Sequence, residues 1–178
     1  VQLAQAEAIM RKRINKKHMD NGVTIINPEN TYIEANVQIG KDTIIEPGVM
    51  LRGNTEIGDE CIIGMNSSIT NSKIGNFTEV KISTIIDSAV GENTTVGPYA
   101  YLRPNSNVGN HVKIGDFVEV KNANIGDYSK ASHLSYIGDA DVGKDVNIGC
   151  GVVFVNYDGK NKFRSVVEDG AFIGSNSN

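Results

Sequence analysis

A period of six residues runs through this chain. From Ile33 the aliphatic residues Ile39, Ile45, Leu51, Ile57, Ile63 and Ile69 follow at steps of six. After a step of five, Ile74 and Val80 resume the beat, and Val90, Val96, Leu102, Val108, Ile114 and Val120 carry it on. No α-helix has that period. Four residues after each aliphatic comes a small or β-branched one: Val37, Thr43, Val49, Thr55, Cys61 and Ser67, then Thr78, Thr84, Thr94 and Ala100. Four after one aliphatic is two before the next, so in extended chain both side chains share a face. Glycine follows the aliphatic at Ile39-Gly40, Ile57-Gly58, Ile63-Gly64, Ile74-Gly75, Val96-Gly97, Ile114-Gly115 and Ile148-Gly149, where it suits the dihedrals of a tight bend. Each hexad therefore reads as one short strand and one corner. A single hexad cannot bury an apolar face, but stacked coils can, with neighbouring parallel strands about 4.8 Å apart. The prediction is an all-β coil.

The first twenty-two residues read differently. Leu3, Ala6, Met10 and Ile14, with Ile9 nearby, have helical spacing, and Asn21-Gly22 supplies a stop. The expected organisation is a linker helix over 1–22 and the coil over 23–178. Arg11, Lys12, Arg13, Lys16 and Lys17 crowd the second half of the helix, where cations suit the helix dipole, and they are read as its solvated face. The first residue is Val, and the closing "FIGSNSN" stops within the pattern. A fragment of a longer chain is expected, its coil truncated at the C-terminus.

Composition narrows the function. With 178 residues, 39% hydrophobic and 21% charged, the chain suits one domain with a real core. No apolar run approaches the roughly 20 residues that span a bilayer, and no signal peptide is evident, so a cytoplasmic protein without membrane contact is expected. A net charge of −4 argues against nucleic acid as a partner. Cys61 and Cys150 have no CxxC or Cys/His spacing and read as free thiols; Cys61 falls at a small inward position.

Two places break the beat. Between Ile125 and Ile137 the aliphatic slot falls on Ala131, with His133 two residues on; after Ile148 the pattern runs through Phe154 into "VNYDGKNKFRS" before Val167 and Ile173 recover it. The second break is a loop thrown out of the coil, and loops on rigid scaffolds concentrate binding and catalysis. Near these breaks fall Arg103, Lys113, Lys121, Lys130, Lys144, Lys160, Lys162 and Arg164 and the histidines His111 and His133. Any one of these lysines is ordinarily a solvated edge charge. Together they suggest a site for a phosphate-bearing ligand, with His133 as candidate general base.

The hexads resemble those of the hexapeptide-repeat acyltransferase family, whose members are left-handed parallel β-helices. "NGVTIINPENTYIE", "IEPGV", "GPYAYLRP", "IGDFVEVKNA", "KASHLSYIGDA", "NIGCG" and "VNYDGKNKF" resemble, in order and spacing, the C-terminal half of the bacterial bifunctional UDP-N-acetylglucosamine pyrophosphorylase / glucosamine-1-phosphate N-acetyltransferases. The helix resembles the connector between the two halves of those enzymes. The resemblance implies acetyl transfer from acetyl-CoA to the amine of glucosamine 1-phosphate, a step toward UDP-N-acetylglucosamine for the cell wall. It implies His133 as the base; Arg103, Lys121, Tyr136, Asn147 and Lys162 as sugar-phosphate contacts; and Cys150, Asn156, Tyr157 and Ser175 as acetyl-CoA contacts. Cys150 departs from the alanine common there. The resemblance also implies a homotrimer with active sites between chains, and no metal in this half; Mg²⁺ belongs to the nucleotidyltransferase half, whose motifs this sequence does not contain.

Other readings stay open at this point: another hexapeptide acyltransferase, a metal enzyme of the γ-carbonic anhydrase type, or a non-catalytic scaffold. The metal enzyme would need three histidines on one zinc, whereas the coil holds His111 and His133 and the helix His18.

Overall fold

The computed structural model describes residues 1–178. Strands of two to four residues alternate with corners and sort into three parallel sheets of nine, seven and eight strands. The first face runs from Thr24–Ile25 to Phe172–Ile173, the second from Tyr32–Ile33 to Tyr136–Gly138, and the third from Gln38–Ile39 to Ser165–Val167. Each strand pairs with the strand three further along the chain, or two further along in the last coil (Ala140–Val142 with Ser165–Val167, Asn147–Ile148 with Phe172–Ile173), so the backbone visits the faces in turn and each coil lies on the one before. This is the parallel β-helix that the hexads predict.

The registers put the hexad aliphatics in columns. Ile45 aligns with Ile63, Ile63 with Val80, Val80 with Val96, and Val96 with Ile114. Parallel columns form under the second face (Leu51, Ile69, Ile85, Leu102, Val120, Ile137) and the third (Ile57, Ile74, Val90, Val108, Ile125, Val142). All belong to one core of 33 buried residues. Ile85 keeps its column although it stands five residues from both neighbours along the chain; the coil shortens there by trimming corners. That trimming also moves the small inward residue from the expected Thr84 to Ser83, which is 4% exposed.

The small positions do more than fit. Thr43 Oγ1 donates to the Gly58 carbonyl at 2.8 Å and accepts the Cys61 N–H at 3.0 Å. Cys61 Sγ then donates to Gly75 O at 3.1 Å, and Thr78 Oγ1 to Gly91 O at 2.7 Å while accepting the Thr94 N–H at 3.2 Å. A buried ladder of hydroxyls, with one thiol rung, thus satisfies backbone groups at a corner where strand pairing lapses. Burial pushes the Cys61 thiol pKa up, as expected of an inert structural cysteine. Outside this ladder, the Asx residues after the glycines bond vertically too: Asp59 accepts the Lys41 N–H at 2.7 Å and Asn76 the Asp59 N–H at 2.9 Å. The glycines make room for them. A Cβ on Gly58 would lie 2.4 Å from Asn76 Oδ1.

The helix α1 (Gln2–Asp20) packs on the first coils through its second half. Most of its apolar stripe does not dock: Leu3 is 84% exposed and Met10 46%. Instead Asn15, fully buried, donates to the carbonyls of Pro28 at 2.9 Å and Thr31 at 3.0 Å, with His18 buried beside the first strand and Ile14 against the core. Arg11 is not simply a solvated cation either; its guanidinium lies 4.9 Å over the Tyr32 ring and 3.5 Å from Glu7.

Two predictions follow from this packing. Thr78→Val strands two buried backbone partners and destabilises the coil by about 1–3 kcal/mol in denaturant melts, whereas Thr78→Ser costs much less. Burial, and then Lys17, holds the His18 pKa below its ordinary value, so the unfolded chain binds the proton first. The His18 contribution is full above about pH 6.5 and is lost as pH falls below it; thermal melts drop between pH 7 and 5, and His18→Gln flattens that slope.

Candidate functional site

The break at Ala131 leaves the coil's path unchanged. Ala131 is 1% exposed, aligned with Ile114 below and Ile148 above. What changes is the outward residue two positions on: His133 ends the strand Lys130–His133 with its ring exposed. Asp116 aligns with it one coil earlier, and its Oδ1 lies 2.7 Å from His133 Nδ1. The His133 ring, then the Asp116 backbone N–H, and more weakly Lys113, hold the Asp116 carboxyl below the usual carboxylate range. The backbones are tightly apposed here, since a Cβ on Gly115 would sit 1.9 Å from the Ser132 carbonyl oxygen. With Nδ1 engaged, Nε2 is the ring nitrogen left to act.

Around the next two corners, Arg103, Lys121 and Lys162 line one cleft of about 410 Å³ together with Asn122 and Asp139. The cations come from two successive coils and from the excursion loop. Arg103 donates to Glu119 at 2.8 Å, while Lys121 Nζ stands 3.9 Å from Asp139 Oδ2. The neighbouring Lys162 ammonium, followed by burial, lowers the Lys121 pKa; two cations are held together with too little negative charge between them. Asp139 is the hub. Only 7% exposed, it accepts from Asn122 Nδ2 at 2.6 Å and Asn156 Nδ2 at 2.5 Å, and these bonds and the two lysines keep its pKa low, the Asn122 bond first. Asp139 sits at a corner with φ of 49°, as do Asn105 and Asn122 at 64° and 46°; Asn and Asp tolerate that left-handed conformation better than other non-glycine residues.

The excursion loop is anchored at both ends. Phe154, 7% exposed, plugs the core at one end. At the other, Arg164 donates through Nε and Nη2 to the two oxygens of Asp141 at 2.5 and 2.6 Å, and also to the carbonyls of Asn122 at 2.9 Å and Ala140 at 3.0 Å. This bidentate pair lowers the Asp141 pKa to about 2. Between the anchors, Asp158 accepts the N–H groups of Lys160 and Asn161, Gly159 takes a φ of 97°, and Tyr157 bridges to Lys162. Arg164 is therefore not the free edge charge that composition suggests; it clamps the loop that presents Lys162.

Of the expected contacts, Arg103, Lys121 and Lys162 converge on the cleft, and Tyr136 adjoins it with its hydroxyl 3.5 Å from the Asn156 amide. His133 and Asn147 lie on the first face instead, Asn147 aligned with Lys130 and Phe172. Cys150, Tyr157 and Ser175 are exposed toward the last coils, while Asn156 is buried against Asp139. The sequence does not single out Asp116 or Asp139, and it offers Arg164 only as one of a group of cations, without its clamp on Asp141. The first two sit in the quoted "IGDFVEVK" and "YIGDA", but nothing in the hexads reveals which residue lies one coil below another when coil length varies. No three His, Cys, Asp or Glu side chains are grouped as a metal ion requires, and His111 stacks on Tyr128 with ring centroids 4.7 Å apart.

Residues 36–71 and 87–122 match the model of the bacterial transferase hexapeptide (six repeats). Among solved structures the fold resembles the UDP-N-acetylglucosamine acyltransferase from Campylobacter jejuni (TM-score 0.53, 16% identity, 73% of this chain and 66% of that one). It also resembles the acetyltransferase domain of PglB from Neisseria gonorrhoeae (TM-score 0.53, 15% identity, 64% and 58%). At these identities the likeness is one of fold. Closer relatives are proteins named bifunctional protein GlmU: the chain is 76% identical over all 178 residues to that of Clostridioides difficile and 72% identical over 177 residues to that of Alkaliphilus oremlandii. It spans 39% of the length of each. Over its whole length the chain is thus similar to the C-terminal part of proteins named bifunctional protein GlmU, and it carries the repeats of the bacterial transferase hexapeptide model.

Proposed function

We propose that this chain is the acetyltransferase part of a GlmU-type enzyme, transferring the acetyl group of acetyl-CoA to the amine of glucosamine 1-phosphate. The observation that carries the reading is the convergence of Arg103, Lys121 and Lys162 on one cleft, where a sugar phosphate would relieve the lysine–lysine repulsion. The match to GlmU over the whole chain supports it, as does the fold shared with a PglB acetyltransferase domain solved with acetyl coenzyme A.

In the proposed reaction the cations fix the phosphate and so orient the sugar, with Tyr136 and Asn147 against it. The amine nitrogen forms a bond to the thioester carbon, the carbon–sulfur bond breaks, and CoA leaves. His133 Nε2 takes the proton that the nitrogen loses, a contribution of about 10²–10⁴ in rate. Cys150, Asn156, Tyr157 and Ser175 hold acetyl-CoA. The product leads toward UDP-N-acetylglucosamine in the cytoplasm, with uridylyl transfer and its Mg²⁺ assigned to the remainder of the full-length protein and α1 to the connection between the halves. No helix of the chain is long and apolar enough to cross a membrane.

Assembly into a homotrimer completes the reading. Ile82, Tyr99, Phe117 and Leu134 occupy successive corners between the first and second faces, all with φ between 40° and 57°. Large side chains are costly in that conformation, yet Tyr99, Phe117 and Leu134 are each 56% exposed and the first two rings stack at 5.4 Å. Such a ridge gains stability from a partner, and it flanks Asp116 and His133.

In a thiol-release assay on this chain and on a full-length protein, His133→Ala abolishes acetyl transfer with the fold intact, and Lys162→Ala raises KM for the sugar phosphate more than tenfold. Near wild-type turnover by folded His133→Ala removes the assignment of the base. Light scattering coupled to size exclusion gives a trimer, and Phe117→Asp converts it to monomer; a wild-type monomer would count against the assembly.

A further inference from the structure

We infer that Asp116 is a positioning residue for the acetyl-transfer step, holding the His133 imidazole in the tautomer whose free nitrogen is Nε2. The inference rests on the reading of His133 as the general base and adds a residue to it.

A neutral imidazole carries one N–H, and only the other nitrogen accepts a proton. Asp116 Oδ1, 2.7 Å from Nδ1, can only accept when ionised. The other causes that lower its pKa, its own backbone N–H and Lys113, act whether or not His133 carries charge, so the carboxylate is the resident form near neutrality. It therefore selects Nδ1–H and leaves the Nε2 lone pair outward. When Nε2 takes the amine proton, the ring becomes an imidazolium with both nitrogens protonated; the carboxylate keeps its hydrogen bond and stays unprotonated. The same division of labour operates in Ser-His-Asp triads. Geometry also limits what else could orient the ring. Lys113 and Lys130, on the strands of Asp116 and His133, offer only donors. Below Asp116 the register places Pro98, and above His133 it places Cys150, whose thiol is a poor acceptor.

The fold explains why the pair holds. Asp116 and His133 are register partners on adjacent parallel strands, where outward side chains stack one coil apart, about 4.8 Å between backbones. The close contact of Gly115 with Ser132 fixes that alignment. Since both side chains are well exposed, replacing the carboxylate leaves core and ladder untouched.

The test is the ¹⁵N spectrum of the imidazoles above their titration, with His133→Gln identifying the His133 signals among three histidines. The wild type is expected to show His133 as the Nδ1–H tautomer, and Asp116→Ala to shift it toward a mixture dominated by Nε2–H, with amide spectra otherwise unchanged. In parallel, steady-state kinetics of full-length Asp116→Ala should show kcat lowered roughly tenfold or more with both KM values within twofold. An Nε2–H tautomer in the wild type, no tautomer change in Asp116→Ala, or unchanged kcat would each overturn the role. The tautomer reading needs no turnover: if Nδ1–H is lost in Asp116→Ala while His133→Ala keeps full activity, the failure lies with His133 as base and not with the pairing.

Discussion

Everything in this molecule depends on backbone hydrogen bonding from one coil to the next. Because each strand pairs only with strands one coil away, the chain has no sheet to extend sideways and only one direction in which to grow. An inward residue must lie over an inward residue. A slip of one position would turn a column such as Ile45, Ile63, Val80 and Val96 outward. The hydroxyl ladder and the Asx residues enforce the same alignment where strands give way to corners.

That constraint dictates where chemistry can stand. The interior is committed to aliphatic columns and to hydroxyls and one thiol bonded to the backbone, so reactive groups must be outward residues, corner residues or visitors on an excursion. The site uses all three: His133 and Asp116 point outward from the first face, Asp139 occupies a corner, and Lys162 arrives on the loop clamped by Arg164. Vertical stacking supplies the precision that loops lack, since residues aligned on consecutive coils are held at one fixed spacing by the backbone itself.

Much of this was legible in the residues. The hexad beat predicts the coil, its columns and the excursion after Ile148, and the structure places Arg103, Lys121 and Lys162 in one cleft. What the sequence hid is vertical. Coils shorten around Ile74 and Ile85 and lengthen again at Ile114, so neither Asp116 beneath His133 nor Asp141 opposite Arg164 can be found by counting sixes. The helix misled for another reason. Its aliphatic spacing predicts a helix but not how it docks: Ile14 reaches the core, while the coil's first turn offers the carbonyls of Pro28 and Thr31, which call for the amide of Asn15 rather than for Leu3 or Met10.

The excursion loop leaves after Ile148 and rejoins so that Ile173 still lies over Ile148. Coil and loop are thus mechanically decoupled beyond Asn156, which is bonded to Asp139: residues can be added or removed in the exposed stretch before the Arg164 clamp without moving any coil above or below. Doubling such a segment costs only about 0.6 kcal/mol in closure entropy. The loop is accordingly an interchangeable part, through which the surface beside one unvarying spool can be reshaped while the histidine on its face stays where it is.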